Sequence, residues 1–380
     1  MSFKSRLPDV PTSIFTIMSK MALDHGAINL SQGFPDFSID REIIDNVHRF
    51  MKEDNNQYAP MPGTPSLRKA IADVVQQTYG RTVNPETEIT ITAGATEGLY
   101  SVITAFVSPG EEVIVFDPSY DSYDPSIRLS GGIPIHINLT YPGFTIDWDL
   151  VRSKISSRTR MIIINTPHNP CGTVLSENDL KELEKIVVKH NLFVLSDEVY
   201  ERLIFDGNQH QSVLRYPGLS SNSFAVFSFG KTFHATGWKC GYVVASEPLT
   251  AELRKTHQFV VFSVNTPMQL AVAEYLKDPD HYQNLGKFYQ QKRDFFLAQI
   301  KGSSFKPLPC QGSYFQILSY EGMSRKADHL LAEEFTKEKK VASIPISVFY
   351  QDKTDNHLLR FCFAKREETL EKACEILRKI

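Results

Sequence analysis

The chain has 380 residues, enough to bury a large core and to form two or three domains. Its hydrophobic (42%) and charged (22%) fractions suit a soluble globular protein, and a net charge of −3 gives no reason to expect nucleic acid or a membrane surface as partner. No run of about 18 apolar residues exists to span a bilayer, the N-terminus lacks an apolar signal core, and the five cysteines show no Cys-x-x-Cys spacing, which points away from disulfides or a metal site and towards a reducing, cytoplasmic setting.

Along the chain, Ser13–Ala22 reads as a short helix, followed by a loop over Leu30–Phe37. Residues 92–100, Thr-Ala-Gly-Ala-Thr-Glu-Gly-Leu-Tyr, lead into a helix with Leu99, Val102, Ile103 and Phe106 on one face. The apolar runs Val113–Phe116, Met161–Ile164, Leu192–Leu195, Phe224–Phe227 and Tyr242–Ala245 read as buried strands, each ended by a polar or turn residue. Between two of them lies a helix from Glu177 to His190, started by Ser176 and Asp179 in a capping-box arrangement. Alternation of apolar strands with helices implies an α/β fold, a mostly parallel sheet covered on both faces, with ligands at the carboxyl ends of its strands. The C-terminal part differs: Gly312–Leu318 and His357–Phe363 read as strands separated by a helix near Ala327–Lys339, and a last helix carries Leu370, Ala373, Cys374 and Leu377 on one stripe. The expected division is a large domain over 43–284 and a smaller α+β domain built from 1–42 and 285–380.

The residues suited to chemistry sit at or near those strand ends. Lys231 follows Phe224–Phe227 in a turn with Ser228 and Gly230, and a second cation, Lys239, comes eight positions later. An amine beside an anion-binding hydroxyl and another positive charge is what a cofactor with an aldehyde and a phosphate requires. Asp197 ends an apolar strand, where a carboxylate is costly unless it meets a cation; the alternative is a cap on the next segment. Asn165-Thr-Pro-His-Asn169-Pro-Cys-Gly172 is a turn stiffened by two prolines. Gly94, Ala95 and Thr96 open a helix and offer backbone N–H groups to a phosphate, although capping alone explains many such starts. Arg360 lies within the apolar Leu-Leu-Arg-Phe-Cys-Phe, where a guanidinium wants a bidentate anion, from a ligand or a structural carboxylate.

Together, the Asn-x-Pro-x-Asn-Pro-x-Gly turn, Asp197-x-x-Tyr200 and the lysine segment Ser228–Tyr242 resemble the class I/II pyridoxal-phosphate aminotransferases of fold type I, with matches in family order from about residue 13 to 364. Lys239 stands where the family usually has arginine, a departure shared by the methionine, glutamine–phenylpyruvate and kynurenine branch. The resemblance implies a Schiff base of pyridoxal 5′-phosphate on Lys231, Asp197 against the ring nitrogen, Tyr200 and Asn169 at the phenolate oxygen, and Tyr120 stacked on the ring. It further implies a phosphate cradle of Gly94, Ala95, Thr96, Ser228 and Lys239, with Arg360 and Asn169 on the substrate carboxylate and the Gly33–Phe34 loop closing over it. Tyr58 would reach the phosphate of a second subunit, making a homodimer with shared sites. Phe15, Phe34, Tyr58 and Phe262 are expected to form an apolar pocket, which favours methionine over glutamine, aromatic amino acids or kynurenine as amino donor to a 2-oxo acid. A cysteine-S-conjugate β-lyase and a ligand-sensing, non-enzymatic descendant are the rival readings.

Overall fold

The computed structural model describes residues 4–380. Numbered along the chain, its strands are β1 (Ile28–Asn29), β2 (Ile89–Thr92), β3 (Glu112–Asp117), β4 (Ile133–Asn138), β5 (Thr159–Asn165), β6 (Phe193–Asp197), β7 (Ser223–Ser228), β8 (Gly241–Ala245), β9 (Lys306–Pro307), β10 (Phe315–Ser319), β11 (Val341–Ala342), β12 (Ile344–Pro345) and β13 (Leu358–Cys362). Seven form one sheet in the order β2-β8-β7-β6-β5-β3-β4. Only β8 runs against its neighbours, so the other six strands point the same way.

The central strands are continuous apolar runs because both faces of this sheet are covered. Ile162 and Ile164 pack into one hydrophobic cluster, while Met161 and Ile163 pack into the other, on the opposite face with Leu99, Val102 and Ile103 of the helix Ala95–Phe106. The helix Glu177–His190 forms with the expected ends. Ser176 and Asp179 make a reciprocal capping box, and Asn191 closes it in the left-handed conformation.

A four-stranded sheet, β12-β13-β10-β9, is antiparallel throughout, with Arg360 of β13 opposite Ile317 and Ile344. The N-terminal segment is stitched to this part of the chain. Ile28 of β1 lies opposite Val341 of β11, and Leu30 receives the N–H of Cys362. The expected helix over 327–339 is shorter: Asp328–Glu334 is α-helical, and Phe335–Lys339 loosens into a π-turn before the left-handed Lys340.

The edge strand β4 is held by a charge contact. His136 Nδ1 lies 3.0 Å from both carboxylate oxygens of Asp117 at the end of β3, and Nε2 is 3.2 Å from Asp124 in the helix Tyr123–Leu129. Burial alone would lower the imidazole pKa, but the two carboxylates outweigh it and raise it to about 9. A raised pKa stabilises the fold fully below the ordinary value of 6.5, and that contribution is lost as pH climbs through about 9. The variant His136→Gln should therefore lose about 2 kcal/mol relative to wild type below pH 6.5 and progressively less towards pH 9. Urea unfolding of both proteins across that range checks this; a pH-independent gap would refute it.

Candidate active site

The six co-directional strands bring the carboxyl ends of β2, β3, β5, β6 and β7 to one edge of the large sheet, the place where α/β sheets gather ligands. A cleft enclosing about 870 Å³ of space, part of it open solvent, lies there and extends to Arg360 and Phe315 of the small sheet.

Lys231 enters this cavity because β7 ends at Ser228 and the next four residues, Phe229–Thr232, make a single helical turn. Its Nζ donates to Tyr314 Oη at 2.8 Å and to the Gly33 carbonyl at 3.2 Å. Burial lowers its pKa to about 8; Lys239 and Arg360 push the same way, against Asp197. A fraction of the amine is thus neutral near pH 7, unlike an ordinary lysine.

Asp197 ends β6 beside Asn165 of β5, its register partner. Its Oδ2 accepts from Tyr123 Oη at 2.6 Å, and burial raises its pKa to about 6, a shift the Tyr123 hydrogen bond partly offsets. Among the described residues no side-chain cation pairs with it, so this buried carboxylate has room for one from a ligand. Asn165 Nδ2 donates to the Asp197 carbonyl at 2.9 Å, and its Oδ1 accepts from the Asn169 N–H at 2.7 Å. The first asparagine of the turn thereby aims the second.

Arg360 is the opposite case, a fully buried guanidinium with no carboxylate partner among the described residues. Its terminal nitrogens donate to Asn169 Oδ1 at 2.7 Å and to the Ser31 carbonyl at 2.8 Å, and it lies 3.8 Å over the Phe315 ring. Nε is buried without a partner, and burial lowers the pKa to about 10. An anion is what this group lacks.

The third corner is cationic and rich in donors. Gly94 caps the helix Ala95–Phe106 at φ 76°, a positive value that glycine adopts without strain, and the first helical residues, Ala95 and Thr96, line the cavity. A Cβ there would lie 3.2 Å from Lys239 Nζ, so the backbone and the second cation are adjacent. Thr96, Ser228, Thr236 and Lys239 line the same corner.

Of the residues singled out in the sequence, Phe15, Gly33, Ala95, Thr96, Tyr120, Asn169, Asp197, Tyr200, Ser228, Lys231, Lys239 and Arg360 meet in this one cavity, and Gly94 stands at its edge. One chain assembles the expected aromatic pocket only in part. Only Phe15 of that set lines the cavity, joined by Phe315 and Leu99. Phe34 is 44% exposed beside it, with its carbonyl held by Lys365, while Tyr58 and Phe262 pack edge to face on each other at the surface. Tyr123 was within reach of sequence reading, as the second tyrosine of Asp-Pro-Ser-Tyr-Asp-Ser-Tyr after β3. Tyr314 and Phe315, at the start of β10, have nothing local to mark them.

The donor set fits pyridoxal phosphate on the structure's own terms: an amine near neutrality, a buried carboxylate without a cation, a helix N-terminus with hydroxyls and a lysine for phosphate, and a buried guanidinium without an anion for the substrate.

The family model of class I and II aminotransferases matches residues 25–377. The chain is 48% identical to the methionine aminotransferase of Escherichia coli over 99% of its own length and 98% of that protein. It is 33% identical to kynurenine–oxoglutarate transaminase 3 of Rattus norvegicus, over 98% of its length and 89% of the relative. The crystal structure of YbdL from Escherichia coli, described as having a methionine aminotransferase function, superposes over 100% of both chains at a TM-score of 0.98 with 48% identity.

One close approach supports the phosphate corner. Gly241 of β8 sits opposite both Thr92 and Ser228, and a Cβ there would lie 2.6 Å from the Phe227 carbonyl and 3.0 Å from the Ala95 nitrogen, both backbone atoms. Gly241→Ala should cost about 1–3 kcal/mol of stability and weaken cofactor retention, read by urea unfolding and by equilibrium dialysis of pyridoxal phosphate. Wild-type values in both would contradict the packing described.

Proposed function

From the premise that this chain belongs to the class I and II aminotransferases, which are pyridoxal-phosphate enzymes, we propose that it moves the α-amino group of methionine to a 2-oxo acid, with Lys231 as Schiff-base lysine and proton carrier. The single observation that carries the assignment of roles is the convergence of Lys231, Asp197, Asn169 and Arg360 on one cavity. Bound pyridoxal phosphate supplies an aldehyde for amines and a ring that accepts an electron pair.

The residues then divide the work. The helix start at Gly94–Thr96, with Ser228 and Lys239, holds the phosphate. Asp197, kept in place by Tyr123, would hold a proton on the ring nitrogen of the bound cofactor, with Asn169 and Tyr200 on the side of its phenolate oxygen and Tyr120 against its ring. Arg360 and Asn169 hold the substrate carboxylate and so fix the direction of the Cα–H bond. Lys231 Nζ, once free, takes the proton from Cα. It must be neutral to do so, and rates should therefore rise with pH through about 8. Gly33 and Phe34 lie on the segment above the site.

Methionine is favoured because the cavity offers Phe15, Leu99 and Phe315 to a side chain, and no cation beyond Lys231, Lys239 and Arg360 lines it among the described residues. An unbranched thioether suits such walls. Glutamine, aromatic amino acids and kynurenine rank behind it, and a side-chain carboxylate finds no dedicated guanidinium. The full-length likeness to transaminases favours amino transfer over the β-lyase reading. In a panel with a common 2-oxo acid acceptor, methionine should exceed aspartate in kcat/KM by about tenfold or more. The variant Lys231→Ala should lose roughly 10²–10⁴-fold in turnover and the borohydride-fixed cofactor mass on the peptide bearing residue 231. Aspartate as the better donor would overturn the substrate; near-normal transfer without Lys231 would overturn the mechanism.

A homodimer with shared sites belongs to the same proposal. Tyr58 is 81% exposed, Phe259 87% and Phe262 53%, an apolar surface that a second copy would cover. Mixing Tyr58→Ala with Lys231→Ala chains should restore activity by subunit exchange, to at most about a quarter of wild type; no recovery from two inactive parents would count against sharing. We also retain the division into 43–284 and 1–42 with 285–380, which the β1–β11 pairing supports. A cytoplasmic location is in keeping with five buried, unpaired cysteines; no helix among the described residues is long and apolar enough to cross a membrane.

A further inference from the structure

We propose that Tyr314 is a positioning residue for the proton transfer: together with the Gly33 carbonyl it accepts from the free Lys231 amine and holds that nitrogen at the wall of the cavity. The inference rests on the reading of Lys231 as proton carrier.

The number of hydrogens on each group fixes the direction of these contacts. A phenol has one, and Tyr314 Oη donates it to the Gly33 carbonyl in a short contact. Towards Lys231 Nζ, 2.8 Å away, the same oxygen is therefore an acceptor. The Gly33 carbonyl is the second acceptor, at 3.2 Å. A neutral amine has two N–H bonds and one lone pair in a roughly tetrahedral arrangement. The two acceptors are bonded to each other, so they lie on one side of Nζ. The two contacts thus fix the nitrogen from one side, at the wall of the cavity that Lys231 lines with Asn169, Asp197 and Arg360.

The hydroxyl is well held. Tyr314 is fully buried, its ring packs at 79° to Tyr200 with centroids 5.1 Å apart, and its carbonyl accepts from the Phe363 N–H at 3.1 Å. The lysine stem is flexible, so the rigid partner sets the direction. Phenylalanine would fill the same core volume; what the oxygen adds is the contact with Nζ. Gly33 also lies two residues after Ser31, whose carbonyl Arg360 holds. The group that receives the substrate carboxylate and the amine that receives its proton are thus tied to the same short segment.

The test compares wild type with Tyr314→Phe, both loaded with pyridoxamine phosphate, the amine form of the cofactor that leaves Lys231 unbonded. With 15N-lysine labelling, the Nζ signal missing from Lys231→Ala identifies residue 231, and its pH titration is followed by NMR. Loss of an acceptor should lower the titration midpoint by about half a unit or more. In steady state with methionine, kcat should fall about 10–100-fold with KM nearly constant, and the isotope effect from Cα-deuterated methionine should grow. An unmoved midpoint, an unchanged kcat, or a defect confined to KM would overturn the proposal. Should Tyr314→Phe fail to fold, 3-fluorotyrosine at 314 weakens the acceptor without removing it: a lowered midpoint and kcat support the role, and a flat response overturns it. Lys231→Ala assayed alongside separates the two levels. Transfer that persists without Lys231 defeats the reading of the lysine itself, whereas a wild-type-like Tyr314→Phe defeats only the part given to the phenol.

Discussion

A buried positive charge without a negative partner organises this molecule. Arg360 stands in the middle of the small sheet and draws on three distant stretches: the carbonyl of Ser31 near the N-terminus, the amide of Asn169 after β5, and the ring of Phe315 on β10. Taking a guanidinium out of water costs on the order of several kcal/mol, and these neutral groups return part of that through hydrogen bonds and a π face. What they do not supply is an anion. Arg360 thereby ties the large sheet's loops, the small sheet and the N-terminal segment together while its own Nε stays unpartnered.

Across the cavity the same principle operates with the sign reversed. Asp197 is buried at the end of β6 and lifted to about 6, and Lys231 is buried at the end of β7 and lowered to about 8. Desolvation is the leading cause of both shifts. The two groups end on either side of neutrality, an acid close to accepting a proton and a base close to releasing one. Replacing such groups with apolar residues of similar volume would often make a protein more stable. Keeping them leaves the site ready for a cofactor cation, a phosphate and a substrate carboxylate, which in the proposed mechanism supply the missing charges together.

Much of this was readable before any coordinates. The helix Glu177–His190 was legible to its ends because capping is a local interaction among residues three apart. The central strands were legible, within a residue or two, because full burial on both faces leaves uninterrupted apolar runs. β2 was passed over because Ile-Thr-Ile-Thr is four residues long, too short a run to stand out. β4 was passed over because an edge strand containing Pro134 and half exposed carries no such run. At the site, Asp197 and Arg360 announced themselves as charges in apolar runs, and Lys231 and Asn169 by the turns that follow such runs. Tyr314 and Phe315 did not, since an aromatic residue in a strand looks the same whether it faces a core or an amine. Phe34, Tyr58 and Phe262 do not line the cavity of a single chain, because which way a side chain faces is set by packing and not by residue type.

The amino-acid order by itself determined the kinds of chemistry available and the local elements, because caps, turns and strand runs depend on near neighbours. Only the tertiary structure decided which groups share a cavity, how strongly burial shifts their proton affinities, and that a tyrosine 83 positions from the lysine holds its amine. Distances of that kind are set by strand order and packing, and no stretch of local sequence contains them.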